Sequence, residues 1–254
     1  MLLEEMSWRD AKEAFQRTDI VLVPTGSTEQ HGPHCPLGTD FMIAQGIARV
    51  AANAHQVVCV PTTCITVSPH HRQFPGTLWV QPDTFRSYMT DVTLSLNYHG
   101  VNKIVFVNGH GGNGAALAEV AYRLRHEHDV YAVTWNWFPA IEDVVFENFD
   151  QSVNHADGPE TSMMLFINED LVQEEYLEEA ARGASPSWGQ FVAGAEVSSD
   201  TIDFSESGAA GSPPTAASKE KGEILFAAAV EKLGELIAWL REQDLSELRV
   251  KPPK

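Results

Sequence analysis

Four short apolar runs, rich in β-branched residues, stand at residues 20–23, 57–60, 104–107 and 130–133. They are continuous rather than alternating, as expected of strands buried on both faces. Between them, residues 39–53, 83–99 and 113–126 carry apolar positions at helical spacing, so the order strand, helix, strand, helix repeats. That alternation predicts an α/β fold with a parallel sheet covered by helices. A last amphipathic helix is predicted over residues 219–242, with Leu225, Leu233, Ile237 and Leu240 among its packing positions, followed by a polar, proline-containing tail.

Residues 183–218 break this rhythm. They are rich in Gly, Ser, Ala and Pro, carry Trp188 and Phe191, and have little periodicity. A long, partly ordered loop is expected there, and its aromatics favour a functional part as a lid or a subunit contact. No internal repeat or heptad pattern interrupts the chain. With 254 residues and 43% hydrophobic content, the sequence is long enough to bury a large core and is taken as a single unit, residues 1–254.

Charge narrows the function. A formal net charge of −18 repels polyanions, so no nucleic-acid partner is expected. Residues 1–15 hold acids where a signal peptide needs a basic start, and no apolar stretch is long enough for a membrane span, so a cytoplasmic location is expected. Cys35, Cys59 and Cys64 are odd in number and lack CxxC spacing, which points to buried free thiols rather than disulfides or a thiolate zinc cluster.

Candidate chemistry lies at the ends of the predicted strands, where open parallel sheets carry their sites. The segment from Pro24 to His34 packs Glu29, Gln30, His31 and His34 into one glycine-flanked loop. In an extended segment residues two apart share a side, so Glu29 and His31 converge on one point, and Asp40 returns toward it after Pro36 and Gly38. His110 sits in Asn108-Gly109-His110-Gly111-Gly112-Asn113, a glycine-rich turn from strand to helix. His155 and Glu160 stand just before an apolar helix around residues 163–167. Taken singly, each has an ordinary reading: Asp40 and Glu160 as acids at helix starts, the histidines as hydrogen-bonded loop residues. As a set, imidazoles and carboxylates without thiolates suit Zn²⁺ or Mn²⁺, and two such ions make a hydrolytic centre. Trp135, Trp137 and Phe138 follow the fourth strand and are read chiefly as core, with a pocket wall as the alternative. His71 is a candidate to face the pocket, and His34 to support it from behind.

The segments GSTEQHGPHCPLGTD, NGHGGN and HADGPETS resemble the creatininase family of amidohydrolases. HHRQFPGT at residues 70–77 and GAAGSPPTAASKEKGE at residues 208–223 extend the resemblance over most of the chain. The resemblance implies a three-layer α/β/α sandwich with a mostly parallel central sheet, two divalent cations (Zn or Mn, with Fe also admitted), a small-molecule amide substrate, and a homohexamer. Carried over, Glu29, Asp40 and His110 would bind one metal; His31, a bridging Asp40 and Glu160 would bind the other. His155 would be the proton shuttle, serving a metal-activated water that attacks the amide carbonyl. Two positions depart from the pattern. Creatininases proper carry a carboxylate where this chain has Gly112, which is why Glu160 is named as ligand, and Ser212 stands where the motif usually has Asp.

A deformylase of a phosphorylated biosynthetic intermediate is the rival enzyme reading and would need cations in the pocket, for which Arg72 is the nearest candidate. A family member that keeps its metals without catalysis is the rival outside enzymes. A serine hydrolase is set aside because no G-x-S-x-G elbow follows a strand, and the Gly109–Gly114 run lacks the features of a phosphate loop.

Thirty-five acids against seven lysines give a surface suited to high salt. The protein is expected to melt at higher temperature in molar salt than in dilute buffer; thermal melts in both conditions check this, and an unchanged midpoint would refute it.

Overall fold

The structure is a computed structural model and describes residues 1–246 and 248. The proline-containing end of the predicted tail lies outside the described residues. The chain opens with helix α1 (Trp8–Arg17), whose N-terminus is closed by a reciprocal capping box between Ser7 and Asp10. Strand β1 (Ile20–Thr25), helix α2 (Thr39–His55), strand β2 (Val58–Cys59), helix α3 (Pro82–Tyr98), strand β3 (Lys103–Asn108), helix α4 (Gly114–Glu127) and strand β4 (Tyr131–Asn136) follow. All four strands pair in parallel, in the order β2-β1-β3-β4.

The buried strands divide their side chains by parity. Ile20, Leu22, Val105 and Val107 face one side of the sheet and pack with Ile43 and Ile47 of α2. Val21, Val23, Ile104 and Phe106 face the other, against Phe85 and Met89 of α3 and Leu117 of α4. Fully burying each such side chain is worth roughly 1.5–3 kcal/mol, which is why these apolar positions of β1 and β3 are buried. The result is the expected three-layer arrangement.

After β4 the chain is mostly helical: α5 (Trp137–Ala140), α6 (Glu142–Phe149), α7 (Gly158–Asn168) and α8 (Leu177–Gly183) precede a small antiparallel hairpin of β5 (Gln190–Val192) and β6 (Ala195–Val197). Helix α9 (Lys219–Glu242) then lies on the α2 side, with Leu225, Leu233, Ile237 and Leu240 in the core as its periodicity predicted. Two differences from expectation have local causes. Strand β2 keeps only Val58 and Cys59 of its predicted four residues, because only these find ladder partners on β1. Helix α7 begins at Gly158, ahead of the apolar stretch, because Asp157 caps it by accepting from the Glu160 backbone N–H at 3.2 Å. No helix among the described residues is long and apolar enough to cross a membrane.

Strand order reverses direction between β1 and β3, and in open α/β sheets the crevice beyond the strand ends at such a switch point is where ligands bind. Two glycines let α2 enter that crevice. A β-carbon at Gly26, after β1, would stand 2.4 Å from the Phe41 backbone nitrogen, and one at Gly109, after β3, would stand 2.2 Å from the Asp40 carbonyl oxygen. Only residues without side chains allow the first turn of α2 to press against both strand ends. Gly109→Ala is therefore expected to cost at least about 1–3 kcal/mol by overpacking, measured as a fall in unfolding free energy in a urea titration. A variant as stable as the parent would show that α2 is not held there.

Candidate metal centre

The loop after β1 is a tight excursion. Glu29 N–H donates to the Leu37 carbonyl at 2.9 Å, Cys35 N–H to the His31 carbonyl at 3.3 Å, and Gly32 turns the chain at φ +64°. Glu29 and His31 thus face the same side, and α2 follows at once with Asp40 in its first turn. Asp40 makes no capping hydrogen bond; its carboxylate turns instead to the imidazoles. Beyond β3, the two asparagines of the NGHGGN turn are buried scaffolding. Asn108 Nδ2 donates to the His110 carbonyl at 2.7 Å and Asn113 Nδ2 to Asn108 Oδ1 at 3.2 Å, while Val67 N–H donates to Asn113 Oδ1 at 3.2 Å. The third contribution comes from the start of α7. Ala156 N–H donates to Glu160 Oε2 at 2.6 Å, with Ala156 itself held at φ +50°.

These pieces bring Glu29, His31, Asp40, His110, His155 and Glu160 together, all buried. Asp40 Oδ1 lies 3.0 Å from His31 Nε2, and its Oδ2 lies 3.0 Å from His110 Nδ1. Glu29 Oε1 is 3.2 Å from His110 Nδ1, and Glu160 Oε2 is 3.5 Å from His31 Nε2. Three trios of donor atoms each gather within 4.8 Å: Glu29, His31 and Asp40; His31, His155 and Glu160; Glu29, His71 and His155. His110 adjoins the first trio through its contacts to Glu29 and Asp40.

The far side of each ring fixes its tautomer. His31 Nδ1 lies 3.2 Å from the Glu29 carbonyl, His110 Nε2 lies 3.0 Å from the Val67 carbonyl, and His155 Nε2 lies 2.8 Å from the Gln30 carbonyl. A carbonyl only accepts, so each of these nitrogens carries a proton, and the nitrogen facing the centre is the one left to hold either a second proton or a cation. At 3.0 Å, His110 Nδ1 and Asp40 Oδ2 require positive charge between them, from a proton on the ring or from a cation that replaces it. Both Glu29 oxygens and Asp40 Oδ2 are, moreover, buried without a hydrogen-bond partner. Donors of this kind, imidazole nitrogen and carboxylate oxygen with no thiolate, fit Zn²⁺ or Mn²⁺.

The electrostatics express the same demand for cations. Burial works against charge on His31, yet Asp40, Glu160 and Glu29 outweigh it and push the ring up to about 10. Burial likewise opposes charge on His110, but Glu29 and Asp40 hold it well above the usual histidine range. Burial, augmented by neighbouring Asp40 and Asp157, pushes Glu160 up to about 8. His155 goes the other way: burial, reinforced by His31, holds it well below its ordinary value and so neutral.

Asp40, His110, His155 and Glu160 of the cluster line the floor of a cavity of about 670 Å³. His70, Phe138, Trp188 and Phe204 line its walls, and Trp188 meets the edge of His155 at a ring-centroid distance of 5.4 Å. Trp137 is fully buried and Trp135 nearly so, as core, while Phe138 reaches the cavity. His71 faces the centre, whereas His34 points away, with Nε2 2.8 Å from Thr161 Oγ1. Glu160 is no cap, since Asp157 holds that place. Trp188, His70 and Gln30 were not among the residues the sequence singled out as ligands or supports; the aromatics of residues 183–218 were the available signal for the first.

Gly112 is explained by the same hydrogen bond that sets His110. A β-carbon there would stand 2.4 Å from His110 Nε2 and 2.5 Å from the Val67 carbonyl, the two atoms it joins. The loop as folded admits no side chain at 112, and the carboxylate near His31 is supplied by Glu160. Ser212, the other departure, accepts from the Gly158 N–H at the start of α7 through Oγ at 3.2 Å.

Compared with known proteins, the chain matches the profile of the creatininase family, described as creatinine amidohydrolase, over residues 4–237. It is 32% identical over 224 residues to the mycofactocin precursor peptide peptidase of Mycolicibacterium smegmatis, covering 85% of this chain and 83% of that protein. It is 24% identical over 254 residues to the creatinine amidohydrolase of Pseudomonas putida, covering 92% of this chain and 94% of that one. A solved structure described as "Creatininase Mn" shares the fold with a TM-score of 0.81 at 23% identity, covering 95% of this chain and 99% of that chain. The chain therefore belongs to the creatininase family and is a hydrolase of that family.

Gly112→Glu is expected to break the His110 to Val67 hydrogen bond and lower unfolding free energy by about 1–3 kcal/mol. Urea titration measures it; full parental stability would mean that the loop re-forms around a side chain.

Proposed function

We propose that the protein hydrolyses a non-peptide C–N amide bond in a small molecule, as a creatinine amidohydrolase does, using two divalent cations, Zn and/or Mn. The observation that carries this reading is the convergence of imidazoles and carboxylates, with both Glu29 oxygens and Asp40 Oδ2 unpartnered, in one buried cluster whose Asp40, His110, His155 and Glu160 line a cavity. Glu29, Asp40 and His110 would hold one ion, and His31, Asp40 and Glu160 the other. The division of Asp40 between His110 and His31, one oxygen to each, supports its bridging role. Bound there, the ions supply Lewis-acid chemistry: polarisation of a carbonyl and acidification of water.

His155 is the proton carrier. Its Nε2–H is committed to the Gln30 carbonyl and its ring is held neutral, so Nδ1 is free to take a proton from the attacking water. It then returns that proton to the leaving nitrogen, whose expulsion as an anion is prohibitive. Trp188, Phe138 and Phe204 offer flat apolar walls on which a small planar substrate packs.

The rival deformylase reading loses support, because no Lys or Arg among the described residues lines the cavity and Arg72 is paired instead with Asp200 at 2.5 Å. A peptide amide is the second reading, favoured by the 32% identity to a peptidase. The family reading also carries one catalytic domain, a cytoplasmic location and a homohexamer, the last measurable by sedimentation.

Chelated protein reloaded with Zn²⁺ or Mn²⁺ is expected to convert creatinine to creatine, and protein left chelated is not. Metal-loaded protein inert on creatinine but active on a peptide amide would favour the second reading, and protein that retains no metal would refute both. His155→Ala should keep its metal equivalents and lose about 10²–10⁴-fold in turnover; unchanged turnover would remove His155 from the mechanism.

A further inference from the structure

One imidazole of the cluster is oriented opposite to the others. His71 is fully buried, with Nε2 3.2 Å from Glu29 Oε1, close enough to pass for a fourth histidine ligand. Its far nitrogen, however, meets no carbonyl. His71 Nδ1 lies 2.8 Å from Gln30 Nε2 and 3.0 Å from the Thr201 hydroxyl.

The orientation of the Gln30 amide is fixed, because its Oε1 accepts from the Gly32 N–H at 2.9 Å. Nε2 therefore has two protons and only donates. Assigning them to His71 Nδ1 and to the Gly208 carbonyl at 3.1 Å satisfies both, and leaves one mismatched approach, to His155 Nε2 at 2.9 Å. Giving a proton to His155 instead creates two mismatches. A lone pair on His155 Nε2 would face the Gln30 carbonyl oxygen at 2.8 Å, and Gln30 N–H would face His71 N–H at 2.8 Å. The first assignment makes Nδ1 of His71 the acceptor and puts its proton on Nε2, which is buried 3.2 Å from Glu29 Oε1; both atoms are without a formed hydrogen bond, and His110 Nδ1 approaches the same oxygen at 3.2 Å.

We infer that His71 is a positioning residue that donates from Nε2 to Glu29 and fixes that carboxylate for the cation, rather than binding a cation itself. The inference rests on the reading of Glu29 as a metal ligand. It gives residues 201–208 a purpose as well. Thr201 and Gly208 come from the aperiodic stretch far along the chain, and they close on His71 and Gln30 respectively. Gly208 sits at φ +83°, where a β-carbon would lie 1.9 Å from Gln30 Oε1, so the backbone itself is the clamp.

The test compares Co²⁺ binding by the wild-type chain, His71→Ala, His71→Gln and Gln30→Glu, by metal analysis, chelator competition and visible absorption of the bound cobalt. His71→Ala should keep the wild-type number of equivalents, bind them about 10–100-fold more weakly, and shift the cobalt spectrum. His71→Gln, whose amide N–H reaches the place of Nε2, should recover most of the affinity. Gln30→Glu leaves His71 in place but offers it an acceptor, which turns the proton to Nδ1 and the lone pair to Glu29. An added carboxylate would by charge alone strengthen cation binding, so weaker binding there isolates the tautomer, and it decides the matter if His71→Ala fails to fold. Loss of one equivalent in the His71 variants would make His71 a ligand and overturn the inference, as would wild-type affinity in His71→Ala or in Gln30→Glu. Wild-type protein that binds no cobalt would overturn the metal reading together with it.

Discussion

Glu29, Asp40 and Glu160 are buried side by side, and the need to compensate that negative charge governs the rest of the structure. Removing an ion from water costs several kcal/mol even after relaxation, and like charges in contact add to it. The protein meets the cost with imidazoles interleaved among the carboxylates and held at high pKa by them. Two of the three acids also sit in the first turn of a helix, Asp40 on α2 and Glu160 on α7, where the exposed amides favour negative charge. What remains uncompensated, the bare oxygens of Glu29 and Asp40, is the part of the arrangement that suits divalent cations.

Holding such a cluster demands a rigid frame, and the sheet supplies it. Parallel strands buried on both faces bring the loops after β1 and β3 to one crevice, and Gly26 and Gly109 admit α2 between them. Backbone carbonyls of Glu29, Val67 and Gln30 then orient three rings from behind. The side chains have little rotational freedom left, so the proposed donors are organised before any ligand arrives, and little ordering entropy remains to be lost on binding.

The floor of the cavity and its walls have different origins. The floor comes from loops directly joined to the sheet and from the start of α7. The walls come largely from residues 183–218, which deliver Trp188 against His155 and Phe204 against Trp188. Within the floor, Gly112 and Glu160 are linked choices: a loop folded so that His110 donates to Val67 leaves no room at 112, and the carboxylate enters from α7.

The sequence by itself determined the elements whose signals are local. Continuous β-branched runs mark β1 and β3 because both faces are buried, the amphipathic pattern of residues 219–242 coincides with α9, and the spacing of Glu29, His31 and Asp40 follows from strand and turn geometry. Helix α1 is amphipathic but short, burying only Ala14 fully behind its capping box, and α5, α6 and α8 are too short for a periodic pattern to mark them. Only the tertiary structure decided which way each imidazole carries its proton, because the deciding partners, Val67 for His110 and Gln30 and Thr201 for His71, lie 41 to 130 residues away. It alone decided, too, that Trp188 stands over the cavity and that position 112 must be bare. Composition and spacing record what a residue can do; packing between distant segments selects which of its atoms is left to do it.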